Sequence, residues 1–290
     1  MTTRLTLWLV FIVASCKKDN AQADPKIPFE TIPVIKAVQP MLLDEASGIA
    51  DSKINPGFLW VEQDSGNPNE IALLSHDAIS LKKIGIKAIV NRDWEDMALA
   101  NGPVDGKKFI YLADIGDNAI AAQQYDLYRF EEPLANIDSV KDFDRISFQY
   151  PDGSHDAEAI LVDPVSKDIY VITKSDNPAK LYKLAYPQST TDINSASFQG
   201  QLAIKTVTSA AISDDGNEIL ARNYETIYYW KRRNGESIIE LLTSTPQQLP
   251  SQFEPQGEAL CFLKDGSGYF SLSERPPVIG HVNLNRYNRK

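Results

Sequence analysis

Ser47-Gly48-Ile49-Ala50 is followed at short distance by Phe58-Leu59-Trp60-Val61, and this pairing of a small or acidic opener with an apolar, aromatic-rich follower returns four more times. The later openers are Asp96-Met97-Ala98-Leu99, Glu158-Ala159-Ile160-Leu161, Ser209-Ala210-Ala211-Ile212 and Glu258-Ala259-Leu260-Cys261. Their followers are Phe109-Ile110-Tyr111-Leu112, Asp168-Ile169-Tyr170-Val171, Glu218-Ile219-Leu220-Ala221 and Gly268-Tyr269-Phe270-Ser271. A period of about fifty residues is how radially repeated sheets are written in sequence. The expectation is an all-β chain folded as a five-bladed β-propeller, with the first strand of each blade lining a central channel. A six-bladed ring is the alternative, and would need a further pair of strands in the long connections at 132–144 or 186–196. A β-sandwich also yields many short strands, but it does not explain why each unit restarts with the same two-strand signature.

The last unit holds three strands, at the Glu258 opener, at 268–273 and at 280–285, where a blade needs four. The branched, alternating segment 32–38 predicts the missing one, so the ring is closed by the N-terminal strand pairing into the last blade, which removes two exposed sheet edges. In the fourth unit the expected strands are 210–213, 218–222, 226–231 and 237–243. Turn chemistry agrees, with Asp214-Asp215-Gly216-Asn217 and Lys264-Asp265-Gly266 placed where a first strand must hairpin into a second.

Ahead of the repeats, Arg4 precedes an apolar run at 5–13 that is too short to span a bilayer, and Val13-Ala14-Ser15 lead to Cys16. This stretch resembles the bacterial lipobox. The resemblance implies a signal peptide at 1–15, removed so that Cys16 carries the lipid, palmitate included. Residues 16–28 then form a flexible tether and 29–290 a single propeller domain. The expected location is the bacterial cell envelope, lipid-anchored at the outer membrane, on its periplasmic side or exposed at the surface. Cys261 sits inside an apolar strand and reads as a small buried hydrophobe. With Cys16 lipidated, no disulfide forms within the chain.

The chain carries 39 acidic and 29 basic residues, a formal charge of -10, and its densest basic stretch is Lys231-Arg232-Arg233. That composition excludes nucleic acid as an expected partner. No histidine pair has zinc-ligand spacing, and no Gly-x-Ser-x-Gly elbow supplies a serine nucleophile.

Stacking the openers aligns Ser47, Asp96, Glu158, Ser209 and Glu258 at the channel mouth, with Glu95 and Thr208 just before two of them. Converging carboxylates repel as water is excluded, so they need cations, protons or donors between them. Ca²⁺ or another divalent cation meets that need with oxygen ligands; the alternative is that each carboxylate pins a neighbouring blade through backbone N–H groups. Asp114 and Asp117, in the loop Asp114-Ile115-Gly116-Asp117-Asn118, and Asn223 lie after second strands and hence on the same face. The candidate metal ligands are therefore Glu95, Asp96, Asp114, Asp117, Glu158, Asn223 and Glu258. Lys174, Arg222 and Arg275 stand at equivalent loop positions, able to neutralise the carboxylates or to hold an anionic ligand. His155, three residues before Glu158, joins Glu158 and Glu258 as a candidate catalytic group.

The run Ala46-Ser47-Gly48-Ile49-Ala50, Leu59-Trp60 and Asp64-Ser65-Gly66-Asn67 is echoed by Asp93-Trp94-Glu95-Asp96-Met97-Ala98. Tyr111-Leu112-Ala113-Asp114-Ile115-Gly116-Asp117-Asn118 and Tyr128-Arg129-Phe130-Glu131-Glu132-Pro133 follow. Together they resemble a group of bacterial secreted and lipoprotein β-propellers, similar to the SdiA-regulated and esterase-like phytase propellers. A more distant similarity is to the gluconolactonase and paraoxonase propellers. The latter resemblance implies a channel metal held by a Glu with Asn and Asp residues, for which Glu158 or Glu258 and Asn223 are the matching positions. Two functions stay open: a binding or scaffold protein with a cation-binding channel face that takes a small molecule, glycan or protein, or a metal-dependent hydrolase of lactones, esters or phosphoesters using the same carboxylates.

Overall fold

The computed structural model describes residues 27–39, 43–275 and 280–290; the expected signal peptide at 1–15 and the expected lipidation position Cys16 lie outside the described residues. After β1 (Val34–Ala37), the first blade is β2 (Ala46–Asp51), β3 (Phe58–Gln63), β4 (Glu70–Ser75) and β5 (Leu81–Ile86), hydrogen-bonded in that order. The second is β6 (Trp94–Asn101), β7 (Lys108–Asp114) and β8 (Tyr125–Glu131), then, beyond the short β9 (Ser139–Val140), β10 (Asp144–Gln149). The third comprises β11 (Ala157–Val162), β12 (Ile169–Thr173) and β13 (Lys180–Leu184), then, after β14 (Asn194–Ser195), β15 (Ser197–Gln201). The fourth runs β16 (Ser209–Ile212), β17 (Glu218–Arg222), β18 (Ile227–Lys231), a helix α1 (Ile238–Thr243) and β19 (Gln247–Leu249). The fifth holds β20 (Gly257–Phe262), β21 (Gly268–Ser273) and β22 (Asn283–Asn288). The innermost strands β2, β6, β11, β16 and β20 are neighbours in that order, and β20 packs back on β2, so the protein is a five-bladed β-propeller.

β3 shows how the sequence makes a blade. Successive side chains on a strand point to opposite faces. Leu59 and Val61 pack with Phe270 and Leu272 of the fifth blade, while Trp60 between them packs with Trp94 and Ile110 of the second. Both faces are covered, so the strand reads as a continuous apolar run rather than an alternation. The same arrangement at every blade junction divides the core into clusters, one between each pair of neighbouring blades.

Closure follows the sequence reading. β1 pairs antiparallel with β22, Val34 opposite Arg286 and Ala37 opposite Asn283, and fills the outermost place of the last blade. Phe29 adds a bridge to Arg289 and is buried against Tyr229 and Tyr269.

Two stretches depart from the expected strands. The connections at 132–144 and 186–196, where a sixth blade would need its strands, hold β9 and β14 instead. Each runs parallel along the outer edge of the preceding blade, β9 on β5 and β14 on β10, covering part of that edge. The segment 237–243, expected as the fourth blade's outer strand, is helix α1. Ser237 Oγ accepts from Glu240 N at 3.1 Å and the Glu240 carboxylate accepts from Ser237 N at 2.8 Å, a capping box that starts the helix. Ile238, Leu241 and Leu242 on one face then join the core, and β19 takes the outer position.

Candidate metal centre

Four of the five inner strands carry a register shift at their first residues, between Ala46 and Gly48, Trp94 and Asp96, Ala157 and Ala159, and Gly257 and Ala259. A bulge leaves one residue unpaired and re-aims it. The residues so placed are Ser47, Glu95, Glu158 and Glu258. The fourth blade lacks the shift, and Ser209 pairs directly with Arg222. Glu95, rather than Asp96, is therefore the second-blade equivalent of Glu158 and Glu258, a one-residue correction to the sequence alignment.

Glu95 is the centre of the arrangement. Its oxygens belong to two groups of carboxylates close enough to share an ion, Asp64–Asp93–Glu95 and Glu95–Asp156–Glu158, with ligand atoms within 4.8 Å of one another in each. It is 3 % exposed, and its carboxylate has no hydrogen-bond or ion-pair partner among the described residues. Burial, then the charges of Glu158, Asp64 and Asp93, push its carboxyl well above the usual range. Gly116 makes the approach possible: a Cβ there would collide with Glu95 Oε1 and the Asp93 carboxylate.

A second carboxylate is without a hydrogen-bond partner among the described residues. Glu62, at the end of β3, is fully buried with neither carboxylate oxygen hydrogen-bonded. Its carboxyl is raised by burial first and then by Asp64, Asp96, Glu258 and Glu274. Gly48 leaves it room, since a Cβ on that residue would stand 2.7 Å from Glu62 Oε1. Asp64, partly buried, is pushed up to about 6, mainly by burial, against the Ser65 N–H that pulls it down.

Opposite stand the groups that already have partners. Lys174 forms an ion pair with Glu158. Burial alone would lower the Lys174 ammonium; the Glu158 carboxylate overrides it and holds it above the usual lysine value. Glu258 is hydrogen-bonded to Glu274 and to the Tyr224 hydroxyl, and Ser47 Oγ donates to it at 3.4 Å. The Glu274 carboxyl is pushed up to about 9 by burial and by Glu258, and Gln256 Nε2 donates to its Oε2 at 2.8 Å. Asp156 accepts from Asp117 N at 2.9 Å and from Ser175 Oγ at 2.8 Å.

The remaining sequence candidates are occupied elsewhere. Asp96 accepts from Met97 N and Ile160 N, both at 2.9 Å, from Ser209 Oγ at 3.3 Å and from Ala210 N, stapling three blades. Asp114 is held by Arg92 at 3.2 Å and by Asp93 N at 3.1 Å, its carboxyl pushed up to about 6 by burial against the Arg92 charge. Asp117 accepts from Ala121 N, Ala122 N and Tyr125 OH, and so shapes its own loop. Asn223 Oδ1 accepts from Thr226 N at 2.8 Å and Glu225 N at 3.0 Å, which closes a turn. The His155 ring lies between Asp176, at 2.9 Å from Nδ1, and Asp152, at 3.1 Å from Nε2, and packs on Tyr150 and Tyr182. Those ring contacts involve neither Glu158 nor Glu258. Arg222 pairs with buried Glu254 and Arg275 with Asp44, leaving Lys174 as the cation of this trio that meets the carboxylate ring.

Sequence reasoning did not single out Glu62, Asp64, Asp93, Asp156, Tyr224 or Glu274. Most lie one or two residues from a quoted opener or strand end. Spacing alone does not say which of two adjacent acids turns inward. All donors in the two groups are carboxylate oxygens, a set that suits hard cations such as Ca²⁺, Mg²⁺ or Mn²⁺.

No family model matches the chain, and no curated protein matches it in sequence. Among solved structures it is similar to a luciferin-regenerating enzyme, with a TM-score of 0.51 and 8% identity over 88% of this chain and 95% of that one. The structure titled U3-55K gives 0.39 and 10% over 83% and 67%, and a nidogen/laminin complex 0.44 and 10% over 79% and 72%. The first likeness agrees with the ring of sheets described above: the fold is that of a β-propeller.

Proposed function

We propose that the protein is a lipid-anchored propeller of the bacterial cell envelope whose acidic channel mouth binds a divalent cation, calcium or another oxygen-preferring ion. It then acts as a binding or scaffold protein for a small-molecule, glycan or protein ligand at that face. One observation carries the cation reading. Glu95 is buried among Asp64, Asp93, Asp156 and Glu158 with no donor on its carboxylate. A buried charge left among like charges is costly, and a bound cation removes that cost. Elemental analysis of protein purified without chelator is expected to find calcium, manganese or magnesium at stoichiometric level; metal-free protein that also takes up none on dialysis would end this reading.

The anchor rests on Val13-Ala14-Ser15-Cys16 and on the polar residues after it. Cys16→Ser is expected to move the protein from the membrane to the soluble fraction without changing its melting temperature. A mutant that still sediments with membranes would refute the anchor.

A hydrolytic role for the same mouth has one observation in its favour. Burial and the neighbouring Glu258 hold the Glu274 carboxyl well above its usual range, which favours a protonated acid in the same acidic mouth as the Glu158–Lys174 ion pair. Turnover of lactone or phosphoester substrates that depends on added metal and is lost in Glu274→Gln would establish it.

A further inference from the structure

We infer that the channel mouth holds two divalent cations rather than one, with the Glu95 carboxylate as the bridge between them. The inference rests on the cation reading above and extends it. The first cation lies among Glu95, Asp156 and Glu158, the second among Glu95, Asp64 and Asp93.

Three observations lead there. Glu95 is common to both groups, and a carboxylate has two oxygens with about four lone-pair directions, enough to give one oxygen to each ion. No protein donor among the described residues occupies those lone pairs, and the residue is 3 % exposed. Glycine at 116 keeps Glu95 Oε1 and the Asp93 carboxylate side by side, since any larger residue would push into both.

A further unpartnered carboxylate stands near the second group in the chain. Glu62, two residues before Asp64 in the chain, is fully buried and neither of its oxygens has a hydrogen-bond partner among the described residues. A cation between Asp64 and Asp93 supplies the missing positive charge on that side.

Charge balance agrees with two ions. The two groups together contain five carboxylates, Asp64, Asp93, Glu95, Asp156 and Glu158, and Lys174 contributes the ammonium paired to one of them. With all five ionised, four negative charges remain; one divalent cation cancels half of them and two cancel all. Oxygen donors alone, without sulfur or imidazole, direct the pair toward calcium, manganese or magnesium.

The test is a stoichiometry. Calcium titrated calorimetrically into chelator-treated protein is expected to bind with two equivalents. The double substitution Asp64→Asn with Asp93→Asn, at two partly exposed positions, is expected to retain one equivalent. Glu95→Gln is expected to weaken both by at least tenfold. In Mn²⁺-loaded protein, electron paramagnetic resonance is expected to show the exchange-coupled spectrum of two ions sharing a ligand. One equivalent in the parent overturns the bridge while leaving the single-cation reading intact, and no binding at all overturns both. Two equivalents with uncoupled Mn²⁺ spectra, or with only one lost in Glu95→Gln, would mean separate sites and overturn the bridge. Should Glu95→Gln fail to fold, the parent stoichiometry and the Mn²⁺ spectrum decide by themselves.

Discussion

The two ends of the central channel are built from the same five strands and treat their charges in opposite ways. At one mouth, where the inner strands begin, Glu62 and Glu95 are buried without donors. At the other, Ala50, Ala100, Val162, Ile212 and Phe262 at or next to the strand ends line a cavity together with Asp51, Lys53 and Asp214, and these three charges are matched. Asp51 accepts from His76 and from Lys264 N, each at 2.8 Å, and Lys53 meets Asp214 at 2.8 Å. Closing a ring of blades therefore does not require unmatched carboxylates, since the far mouth closes without them. Among the described residues the unmatched carboxylates of the channel lie at one end, which is the end where the cation is proposed to bind.

The sharpest way to break this contrast is to remove one carboxylate from each mouth. Asp51→Ala deletes an acceptor of two charge-assisted hydrogen bonds at a buried position, and each such bond is worth about 1.5–3 kcal/mol. A loss of about 3 kcal/mol is expected, read from urea denaturation. Glu95→Gln removes a carboxylate that accepts nothing, so in chelator it is expected to leave stability unchanged or to raise it. If the two substitutions cost the same, the acidic mouth is as structural as the far one and the contrast fails.

Calcium separates the two ends next. A ligand that binds only the folded state stabilises it by mass action, about 2.7 kcal/mol at a hundredfold excess over its dissociation constant. For a chain of this size that corresponds to roughly 5–10 °C in melting temperature. The parent and Asp51→Ala are expected to show this rise, and Glu95→Gln to show little of it. A flat response of the parent to millimolar-range calcium would leave the orphan carboxylates unexplained by a cation.

The repeat and its closure were legible in the sequence because they are written in apolar residues, and each blade must bury both its faces. Trp60 between Leu59 and Val61 already implies a strand covered on both sides. Which carboxylates meet at the channel mouth was legible only to within a residue. A bulge inserts one position into an inner strand without any mark in composition, so of the adjacent pair Glu95-Asp96 the sequence cannot say which is re-aimed. Asn223 illustrates a different limit: an Asn suited to a metal is equally suited to closing a turn, and here Thr226 N and Glu225 N take its oxygen. His155 was placed by its nearness to Glu158 in sequence, yet Asp152, Asp176 and two tyrosines claim its ring. The helix at 238–243 is the one feature whose signal stood in plain view, since Ser237 and Glu240 spell a capping box ahead of an Ile-Ile-x-Leu-Leu run.

The smallest expected effect is that of pH on the metal-free protein, and its sign is diagnostic. A carboxyl whose folded pKa is raised binds its proton more tightly in the native state than in the unfolded chain. Such a group stabilises the fold below the unfolded value, near 4, and that contribution is lost as pH rises through the folded value. Asp64, pushed up to about 6, gives up its share between pH 4 and 6 and Glu274, pushed up to about 9, between pH 4 and 9; Glu62 and Glu95, also raised, act in the same direction. The carboxyls lowered by hydrogen bonds, such as Asp152 at about 2, change protonation below pH 4 and stay out of this window. In chelator, the urea midpoint is therefore expected to decline as pH rises from 5 to 9. Calcium favours the ionised carboxylates that the protons otherwise mask, so with calcium present the decline is expected to flatten or reverse. Glu95→Gln keeps the contributions of Glu62, Asp64 and Glu274 and should retain the decline in both conditions. A midpoint that rises with pH in chelator would mean that these carboxylates are stabilised as anions by protein donors, and the two mouths of the channel would then be alike.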